Sequence, residues 1–362
     1  MERKLASIQR ISEIRPIIGA DNIEVANVLG WQAIVPKGKH KVDELVVWYE
    51  IDSFLPIKPE YEFLRKGCYK NTENLGEGFR IKTIKLKGQV SQGLALPWQE
   101  ILSEKNLGYH VNFDDVFEGQ DLTEFLGVKK YEAPIPAQLA GKVRGNFPGF
   151  IRKTDSERFQ NLMKEIEKHL DEEFEVTTKL DGSSMTVYSR WNEGLSEPEI
   201  GVCSRNMNLI EDNTNSFWNV ANRLGIPQIL RDMKDWSIAI QGELMGPGVQ
   251  KNKEKLPELD FYVFNIYLIN EQQYLPSFRR AKLFESLGKQ LKHVPILHKS
   301  ITLNELLGDP IDRDELREAL IDLSKGPMMN GQGHREGIVF KHLHSDFNFK
   351  VINPDFLLKY DE

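Results

Sequence analysis

A lysine and a carboxylate stand two residues apart in the segment TTKLDGSSMT, residues 177–186. Apolar and polar residues alternate from Phe174 to Leu180, so we expect a strand that carries Lys179 and Asp181 on its polar face. Gly182 then breaks this strand, and a second one restarts at Met185. The lysine and the carboxylate are thus predicted to share the mouth of a tight hairpin. There they form either an ordinary solvated pair or one part of a site completed by residues further along the chain.

Further short motifs with charged, polar or aromatic side chains follow the Lys179 segment along the chain. They are Ser-Arg-Asn at 204–206, Gly-Glu at 242–243, an aromatic strand at 260–267, Glu-Gly-Ile-Val-Phe-Lys at 336–341 and a last strand that carries Lys350. One such motif is weak evidence, whereas the ordered set is strong evidence. The set resembles the motifs of the covalent nucleotidyltransferases, which are the polynucleotide ligases and the capping enzymes.

The resemblance implies that Lys179 is a nucleophile that attacks the α-phosphorus of ATP and forms lysyl-AMP. An amine attacks only when it is unprotonated, and a free lysine with a pKa of about 10.4 is protonated at neutral pH. A divalent cation or a second lysine nearby would lower the pKa of Lys179, because each disfavours another positive charge.

A hard cation, Mg²⁺ or Mn²⁺, fits the carboxylates of this set. Asp181, Glu243 and Glu336 are expected to hold the ion largely through waters, as Mg²⁺ prefers. Lys350 is expected to neutralise α-phosphate oxygens as charge builds up in the transition state. These five residues are therefore the predicted catalytic and metal-binding centre, with Lys179 and Lys350 as its catalytic lysines.

The family resemblance also implies roles for residues that line the nucleotide. Glu243 is expected near the ribose, Phe264 on the adenine face, and Arg205 near the ribose or the receiving strand. Asn206 is expected to order the water shell of the metal. The remaining predicted cofactor-binding residues are Arg158, Thr178, Asp181, Gly182, Glu336, Lys341 and Lys350.

One position departs from the family pattern. Related enzymes often show Lys-x-Lys in the last strand, whereas Lys350-Val351-Ile352 offers a single lysine. Lys341 or Lys359 is a candidate for the missing charge. The alternative is that both are surface lysines, an interpretation slightly favoured for Lys359. His342 and His344 share one face of a predicted strand and could bind a metal, but without further spaced ligands we interpret them as surface residues.

The first 130 residues are predicted to be mostly β. Short apolar segments at 23–29, 31–35, 45–49, 79–87 and 89–97 suit a small barrel. The segments at 14–26 and 87–94 resemble tRNA-binding-type OB domains. The strand 79–87 carries four basic residues and either follows a phosphate backbone or is an edge strand protected by lysines; Trp31, Trp48 and Tyr49 are candidate stacking platforms.

The order of domains narrows the resemblance. DNA ligases and capping enzymes place their OB domain after the lysine-bearing strand, whereas here it comes first and only twelve residues follow Lys350. This order looks like the fifth RNA ligase family. The predicted fold is an N-terminal all-β OB-type barrel at 1–130, a linker at 131–153, and a C-terminal α+β nucleotidyltransferase (adenylation) domain with antiparallel sheets at 154–362. A capping-box pattern at 154–157 predicts a helix that runs to Leu170.

Composition limits the alternatives. The net charge of −7 argues against a protein that coats nucleic acid nonspecifically. Two cysteines fit a cytoplasmic location, and the sequence shows no signal peptide or membrane span. We expect a monomer.

The prediction is an ATP-dependent RNA ligase that joins a 3′-OH to a 5′-phosphate through lysyl-AMP and an adenylylated 5′-phosphate. The alternatives are another covalent nucleotidyltransferase, such as a DNA ligase or a capping-like enzyme, and a nonenzymatic RNA-binding protein. An RNA ligase should require ribose at the 3′-OH end, because the 2′-OH is the local mark of RNA. The biological RNA, and whether a nick or free ends are sealed, stay open.

Overall fold

The computed structural model describes residues 4–72, 74–109, 111–112, 115–131, 143–192, 197–212, 214–233, 236–287, 291–308 and 312–360. The chain divides into two compact units, which we describe separately. Unit 1 comprises Met1–Pro134, Phe159–Glu165 and Pro354–Glu362, and unit 2 comprises Ile135–Arg158 and Ile166–Asn353. Much of the predicted linker, residues 132–142, lies outside the described residues, and the predicted domain boundaries stay a prediction.

The β-strands are numbered in chain order. They are β1 (Ala6–Pro16), β2 (Ile23–Val28), β3 (Trp31–Pro36), β4 (Leu45–Glu50), β5 (Ser53–Leu55), β6 (Tyr69–Thr72), β7 (Gly76–Arg80), β8 (Ile84–Leu86), β9 (Gln89–Ser91), β10 (Gly93–Pro97), β11 (Lys129–Lys130), β12 (Val143–Asn146), β13 (Glu157–Arg158), β14 (Glu173–Lys179), β15 (Ser183–Asn192), β16 (Glu197–Cys203), β17 (Met207–Leu209), β18 (Ile238–Met245), β19 (Asp260–Leu268), β20 (Gln273–Tyr274), β21 (Lys292–His293), β22 (Ile296–Thr302), β23 (Gly337–His342) and β24 (Asn348–Ile352).

The helices are short. The α-helices are α1 (Arg65–Cys68), α2 (Trp98–Ile101), α3 (Glu104–Leu107), α4 (Met163–Ile166), α5 (Ser216–Arg223), α6 (Ile226–Asp232), α7 (Ser277–Leu287), α8 (Leu303–Leu307), α9 (Arg313–Ser324) and α10 (Pro354–Tyr360). Single 3₁₀ turns lie at Pro59–Leu64, Phe159–Asn161, Glu167–His169 and Gln250–Asn252. None of the helices in the described part of the chain is both long and apolar enough to cross a membrane.

Unit 1 is built from two sheets and a small hairpin. Sheet A has the order β10-β4-β1-β2-β3, sheet B has the order β11-β5-β7-β6, and β8 pairs with β9. The long strand β1 pairs with both β2 and β4, yet its sequence did not predict it. A register shift between Ile11 and Glu13 interrupts the alternation of buried residues, so the pattern of period two is lost midway.

Two expectations for unit 1 are wrong. The predicted stacking platforms Trp31, Trp48 and Tyr49 are at most 1% exposed and lie in the core, where they cannot meet a base. The predicted basic strand at 79–87 is two strands, β7 and β8, which belong to different sheets. Ile81, which directly follows β7, still donates its backbone N–H to Ser53 O of β5.

The predicted helix from the capping box to Leu170 is also wrong. Glu157 and Arg158 instead form β13, which pairs in parallel with β24. The Glu157 carboxylate accepts the neighbouring Arg158 N–H at 2.7 Å instead of reaching back to a helix cap. In unit 1, Gly30 N–H donates to Gln160 O at 2.9 Å, so tertiary backbone pairing overrides the helical spacing of the apolar residues.

Unit 2 contains two larger sheets. Sheet C has the order β12-β17-β16-β15-β18-β19-β20, with β21 paired to β19, and sheet D has the order β13-β24-β23-β14-β22. Helices α5 and α6 cover sheet C through an apolar core that includes Trp218 and Leu230. The core side of sheet D is aromatic, since Phe340 and Phe349 stack at 4.6 Å and Phe174 meets both edge-on.

The predicted hairpin at Lys179 is also wrong, and this correction bears directly on the site. Strand β14 belongs to sheet D and β15 to sheet C, so the two strands do not pair with each other. Residues 180–182 carry the chain from one sheet to the other. Both faces of β14 are largely covered, because Glu175 and Thr177 are buried as well as Phe174 and Val176. The lysine therefore lies at the junction of two sheets and not on a solvated turn.

Candidate active site

Lys179 is the last residue of β14 and faces a carboxylate from the neighbouring strand. The register of β14 and β23 pairs Lys179 with Gly337, which places Glu336 just before β23 beside the lysine. The Lys179 Nζ lies 2.7 Å from each Glu336 carboxylate oxygen. This pair is only partly exposed, so solvent screens it less than a surface ion pair.

Glu243 reaches the same junction from sheet C. It lies on β18 opposite Ser184 of β15, and its Oε1 accepts the backbone N–H of Gly182 at 3.1 Å. A Cβ on residue 182 would lie 2.4 Å from the carbonyl oxygen of Leu244. Glycine is therefore required at this position so that the passage between the sheets can lie against β18.

Asp181 accepts a hydrogen bond from Lys253, whose Nζ contacts Oδ2 of the carboxylate. Sequence analysis missed Lys253, which follows the 3₁₀ turn Gln250–Asn252 in a segment where several non-glycine residues have positive φ. The adjacent Glu254 carboxylate accepts the backbone N–H groups of Met329 and Asn330 and so anchors this segment. The feature that marks this segment is its cluster of residues with positive φ. That feature is visible in the structure but not in the sequence pattern.

The charges at the junction shift one another's pKa values. Burial alone would lower the pKa of Lys179, but Glu336, Glu243 and Asp181 outweigh it and raise that pKa above its usual value. Burial raises the pKa of Glu243 to about 8 and the pKa of Asp181 to about 6. Without a further cation, the site thus holds Lys179 protonated and keeps one of its carboxylic acids partly neutral near pH 7.

Two cations predicted from the sequence lie on neighbouring strands of sheet D. Lys350 of β24 is opposite Val339, and Arg158 of β13 is opposite Lys350. Because Thr177 pairs with Val339, Lys350 lies on the face of the sheet that carries Lys179. Arg158 is 7% exposed and sits in the same row. The register therefore lines up Lys179, Lys350 and Arg158 on adjacent strands.

Phe264 and Lys341 form a second contact between the sheets. The Lys341 Nζ donates to Phe264 O at 2.6 Å and to Asn265 Oδ1 at 2.7 Å, and it lies 5.8 Å from the centre of the Phe264 ring. Burial, helped by the charge of Arg280, lowers the pKa of Lys341 to about 7. Lys341 therefore supports Phe264 and is only partly charged near neutral pH. Lys359, the other candidate for the missing charge, is in α10 of unit 1 beside Tyr360.

Three predicted residues are placed differently. Arg205 pairs with Asp155 at 3.0 Å, and Asn206 accepts a hydrogen bond from Lys153 at 3.0 Å, so both side chains engage the segment 153–155. Thr178 is buried on the face of β14 opposite Lys179, and its backbone N–H donates to Pro295 O. The structure does not bring the Thr178 side chain to the carboxylates.

The donor set suits a hard divalent cation. Asp181, Glu243 and Glu336 supply carboxylate oxygens, which Mg²⁺ and Mn²⁺ prefer. Within the described ranges, these three are not among the residues whose ligand atoms all lie within 4.8 Å of one another. An ion held here largely through water molecules fits this spacing better than one bound directly by all three.

Family comparisons match both halves of the chain. A model described as an OB-fold domain matches residues 5–98, and a model described as RNA ligase matches residues 172–360. The fold prediction, with a barrel first and an antiparallel α+β domain after it, is thereby confirmed. No protein of the curated set matches the chain.

Solved structures of Naegleria gruberi RNA ligase are similar over the whole chain. An aspartate-to-alanine mutant of that enzyme without ligand matches with a TM-score of 0.86 and 40% identity, over 99% of this chain and 98% of that one. A lysine-to-alanine mutant with ATP and Mn and a glutamate-to-alanine mutant with AMP and Mn each match with the same score and identity, over 99% of both chains.

Proposed function

The chain belongs to the RNA ligase family, and from this premise we propose that Lys179 is the residue that carries AMP in an ATP-dependent RNA ligase. The observation that carries the proposal is the position of Lys179 between two sheets, with Glu336 at 2.7 Å and Glu243 and Asp181 close enough to raise its pKa. The structures of the N. gruberi enzyme with ATP, with AMP and with pyrophosphate support ATP as the nucleotide.

The reaction has three balanced steps. In the first, the Lys179 amine loses a proton and forms an N–P bond with the α-phosphorus of ATP, while the bond to pyrophosphate breaks. In the second, an oxygen of an RNA 5′-phosphate attacks that phosphorus, the N–P bond breaks and Lys179 regains a proton. In the third, a 3′-OH loses its proton and attacks the 5′-phosphate, a phosphodiester forms, and AMP leaves.

The carboxylates explain why a divalent cation belongs to the first step. They hold Lys179 protonated, so its amine is not nucleophilic while they stay uncompensated. A Mg²⁺ or Mn²⁺ ion, when bound, supplies positive charge that offsets the carboxylates and favours the neutral amine. Asp181, Glu243 and Glu336 would hold it, largely through waters. Lys350 and Arg158 would neutralise the phosphate oxygens from the adjacent strands.

The nucleotide base and its sugar are assigned to the neighbouring residues. Phe264 packs against the apolar cluster that includes Leu180 and offers an aromatic face for the adenine, and Lys341 donates to its backbone carbonyl. The Glu243 carboxylate would bind the ribose, and the backbone of Thr178 and Gly182 would border the nucleotide. Arg205 and Asn206 would release the segment 153–155 to act on the ribose, the metal waters or the RNA strand.

Labelling with ATP that carries ³²P at its α-phosphate tests the nucleophile. Wild type with Mg²⁺ or Mn²⁺ should give a labelled protein band on a denaturing gel, and Lys179→Ala should give none. Lys325→Ala is the matched control, because this exposed lysine pairs with Asp322 at the surface. A wild type that takes no label from ATP, GTP or NAD, or a Lys179→Ala variant that still takes it, would refute the assignment.

The RNA is the substrate class of the family, and its form is part of the proposal. We expect sealing of a nick in a duplex when the 3′-OH end is ribose and loss of sealing when it is deoxyribose. Equal sealing of both would favour a DNA ligase. A monomer of 41.7 kDa is expected by light scattering, and a reducing cytoplasmic location fits the two free thiols, Cys68 and Cys203.

A further inference from the structure

Two histidines and a glutamate meet at the end of sheet D that lies away from Lys179. The Nδ1 of His169 is 2.8 Å from Glu172 Oε2, and the Nε2 of His342 is 2.5 Å from the same oxygen. One ligand atom from each of these residues lies within 4.8 Å of the others. We call His169, Glu172 and His342 the histidine cluster.

The fold brings the histidine cluster together from distant parts of the sequence. His169 ends the 3₁₀ turn Glu167–His169, Glu172 precedes β14, and His342 ends β23. The register of sheet D pairs Phe174 with His342, which sets β14 and β23 side by side at this end. The sequence showed only His342 and His344, and the two ligands that complete the set lie about 170 residues earlier in the chain.

Aromatic packing fixes both imidazole rings. Phe347 stacks on His169 with ring centres 4.6 Å apart, and Phe174 meets the ring of His342 edge-on at 5.4 Å. The side chain of His342 is 7% exposed, whereas those of His169 and Glu172 are 26% and 45% exposed. The cluster is thus ordered on its inner side and open to solvent on its outer side.

We propose that the histidine cluster binds a transition-metal ion, Zn²⁺ by its chemistry, at a site separate from the carboxylates beside Lys179. Two imidazole nitrogens and one carboxylate oxygen form a ligand set that binds Zn²⁺ in preference to Mg²⁺ and leaves a fourth position for water. Ligand bonds of about 2.0–2.1 Å place tetrahedral ligand atoms about 3.3 Å apart. The separations of 2.5 and 2.8 Å are within about 1 Å of that value, so small side-chain movements would admit the ion.

The surroundings of His342 suit a ligand. Its Nδ1 faces the Ser345 hydroxyl at 2.9 Å and the backbone N–H of His344 at 3.1 Å. With a metal on Nε2, the ring proton moves to Nδ1 and is donated to the Ser345 hydroxyl, the kind of outer contact that orients metal-bound histidines. This contact replaces the hydrogen bond that Nδ1 now accepts from the His344 N–H. The neutral ring thus keeps its single proton, which Nε2 now directs at Glu172.

Such an ion would join the ends of β14 and β23. Lys179 is the last residue of β14, and Glu336 directly precedes the antiparallel strand β23, so both lie at the same end of the strand pair. The ion would link the two strands at the opposite end. Its expected role is to stabilise sheet D and not to take part in the ligation steps. The proposal therefore does not depend on the function proposed above.

Cobalt spectroscopy of the untagged full chain, first freed of metal with a chelator, tests the proposal. We expect one equivalent of Co²⁺ to give the intense visible bands of a four- or five-coordinate site with nitrogen ligands, and Zn²⁺ to abolish them. The oxygen ligands at Asp181, Glu243 and Glu336 would give only the weak bands of an octahedral ion. The two sites are thus separated by their spectra.

Glu172→Gln is the decisive variant, because it keeps the size of the side chain and removes an anionic ligand. Its Zn²⁺ affinity, measured by competition with a chromophoric chelator, should fall about 100-fold or more, beyond the 10–100-fold cost of an outer partner. His342→Ala should abolish the bands. His344→Ala is the matched control, since this neighbour is 72% exposed and keeps its backbone N–H.

Stability provides a second measurement. Zn²⁺ should raise the melting temperature of wild type and of His344→Ala but not of Glu172→Gln. A wild type that binds no more Zn²⁺ than Glu172→Gln, or that shows only octahedral Co²⁺, would overturn the proposal and leave the cluster as a hydrogen-bonded trio. Labelling of Lys179 by α-³²P-ATP in the presence of Mg²⁺ is measured separately. It should be the same in Glu172→Gln as in wild type.

Discussion

Two lysines on the same face of sheet D have opposite electrostatic states. Lys179 lies at the end of β14 among three carboxylates, which raise its pKa. Lys341 lies on the next strand, β23, where burial lowers its pKa to about 7. Both side chains are partly buried and burial by itself lowers the pKa of each, so the loss of hydration does not separate them. The difference lies in which carboxylates each lysine can use.

A carboxylate does stand opposite Lys341. Glu175 pairs with it across β14 and β23, but its Oε1 is bound by Arg280, and both members of that ion pair have side chains only 4% exposed. Arg280 also donates to His293 Nε2 at 3.1 Å, and burial with the Arg280 charge lowers the pKa of His293 to about 4. At Lys341, the neighbouring carboxylate does not offset the cost of burial, and Arg280 already holds that carboxylate.

The largest expected effect comes from removing Glu175. Glu175→Gln leaves Arg280 and Lys341 buried together without a counter-charge and should lower the free energy of unfolding by about 3–5 kcal/mol. Arg280→Met should cost less, about 1–3 kcal/mol, because Lys341 can take over the freed Glu175. Urea unfolding of both variants measures the difference. Equal losses would mean that Lys341 is not coupled to the pair.

An exposed ion pair is the control for this test. Arg313 binds Glu167 through two hydrogen bonds of 2.6 and 2.7 Å, with both side chains about a third exposed or more. Arg313→Met should change the free energy of unfolding by less than about 1 kcal/mol. A loss as large as that of Glu175→Gln would show that burial is not what distinguishes the two pairs.

The two lysines should also differ in how stability depends on pH. Lys341 has a pKa of about 7 when folded and about 10.4 when unfolded, so between these values the unfolded chain binds more protons. Stability from this residue therefore rises with pH in that window, by up to about 1.4 kcal/mol per unit. Lys179, whose folded pKa is raised, contributes no such slope there and loses its stabilising effect only at higher pH.

Lys341→Met removes the slope. From about pH 7.5 to about pH 9.5, the stability of wild type should rise relative to that of the variant by about 2 kcal/mol. Urea unfolding at the two pH values measures the difference, and subtraction of the variant cancels the other titrating groups. A constant difference would mean that Lys341 is charged in the folded protein, as Lys179 is.

Glu243→Gln tests the carboxylate side of the comparison. The pKa of Glu243 is about 8 when folded and about 4.3 when unfolded, so the stability that this residue contributes falls as pH rises through that window. The amide of the variant does not titrate, so the variant should gain about 2–3 kcal/mol of stability relative to wild type between about pH 6 and about pH 9. Scanning calorimetry without divalent cations measures both proteins at the two pH values. A relative loss between them would contradict the raised pKa.

The smallest expected effect concerns Lys253, a third lysine that binds a single carboxylate of the site. Lys253→Met frees Asp181 and should tighten Mn²⁺ binding in the absence of nucleotide about threefold, which corresponds to about 0.6 kcal/mol. Electron paramagnetic resonance of free Mn²⁺ measures the affinity. Lys255→Met is the control, because Lys255 lies in the same segment as Lys253 but its Nζ donates to Gln332 and not to Asp181. Weaker binding in Lys253→Met would show that Lys253 supports the cation instead of competing with it.

The sequence predicted the members of the site better than their states. Lys179, Glu243 and Glu336 were found because each lies in a short motif within or next to a strand, and the order of motifs can be read from a linear sequence. The low pKa of Lys341 was out of reach, because it depends on burial and on the charge of Arg280, which the fold brings from α7 to the paired strands β14 and β23. Lys253 was missed because its position depends on backbone conformation and not on residue type.

Fold prediction failed where backbone pairing overrode a local pattern. The capping box at 154–157 is a valid helix signal, but β24 offers Glu157 and Arg158 a strand partner. The register shift in β1 hides a central strand of sheet A by breaking its alternation. The hairpin at Gly182 was predicted from two adjacent strands and a glycine, and nothing in that pattern tells whether the strands pair with each other or enter different sheets.

The passage from β14 to β15 determines how portable this chemistry is. Lys179 belongs to sheet D and Glu243 to sheet C, and the glycine between them has no space for a side chain. Grafting the lysine strand onto another scaffold would carry a nucleophile without Glu243, and grafting sheet C would carry Glu243 without a nucleophile. The smallest unit that could be transplanted is the junction of the two sheets. It comprises the end of β14, the start of β15, Gly182, and the part of β18 whose Glu243 accepts the Gly182 N–H.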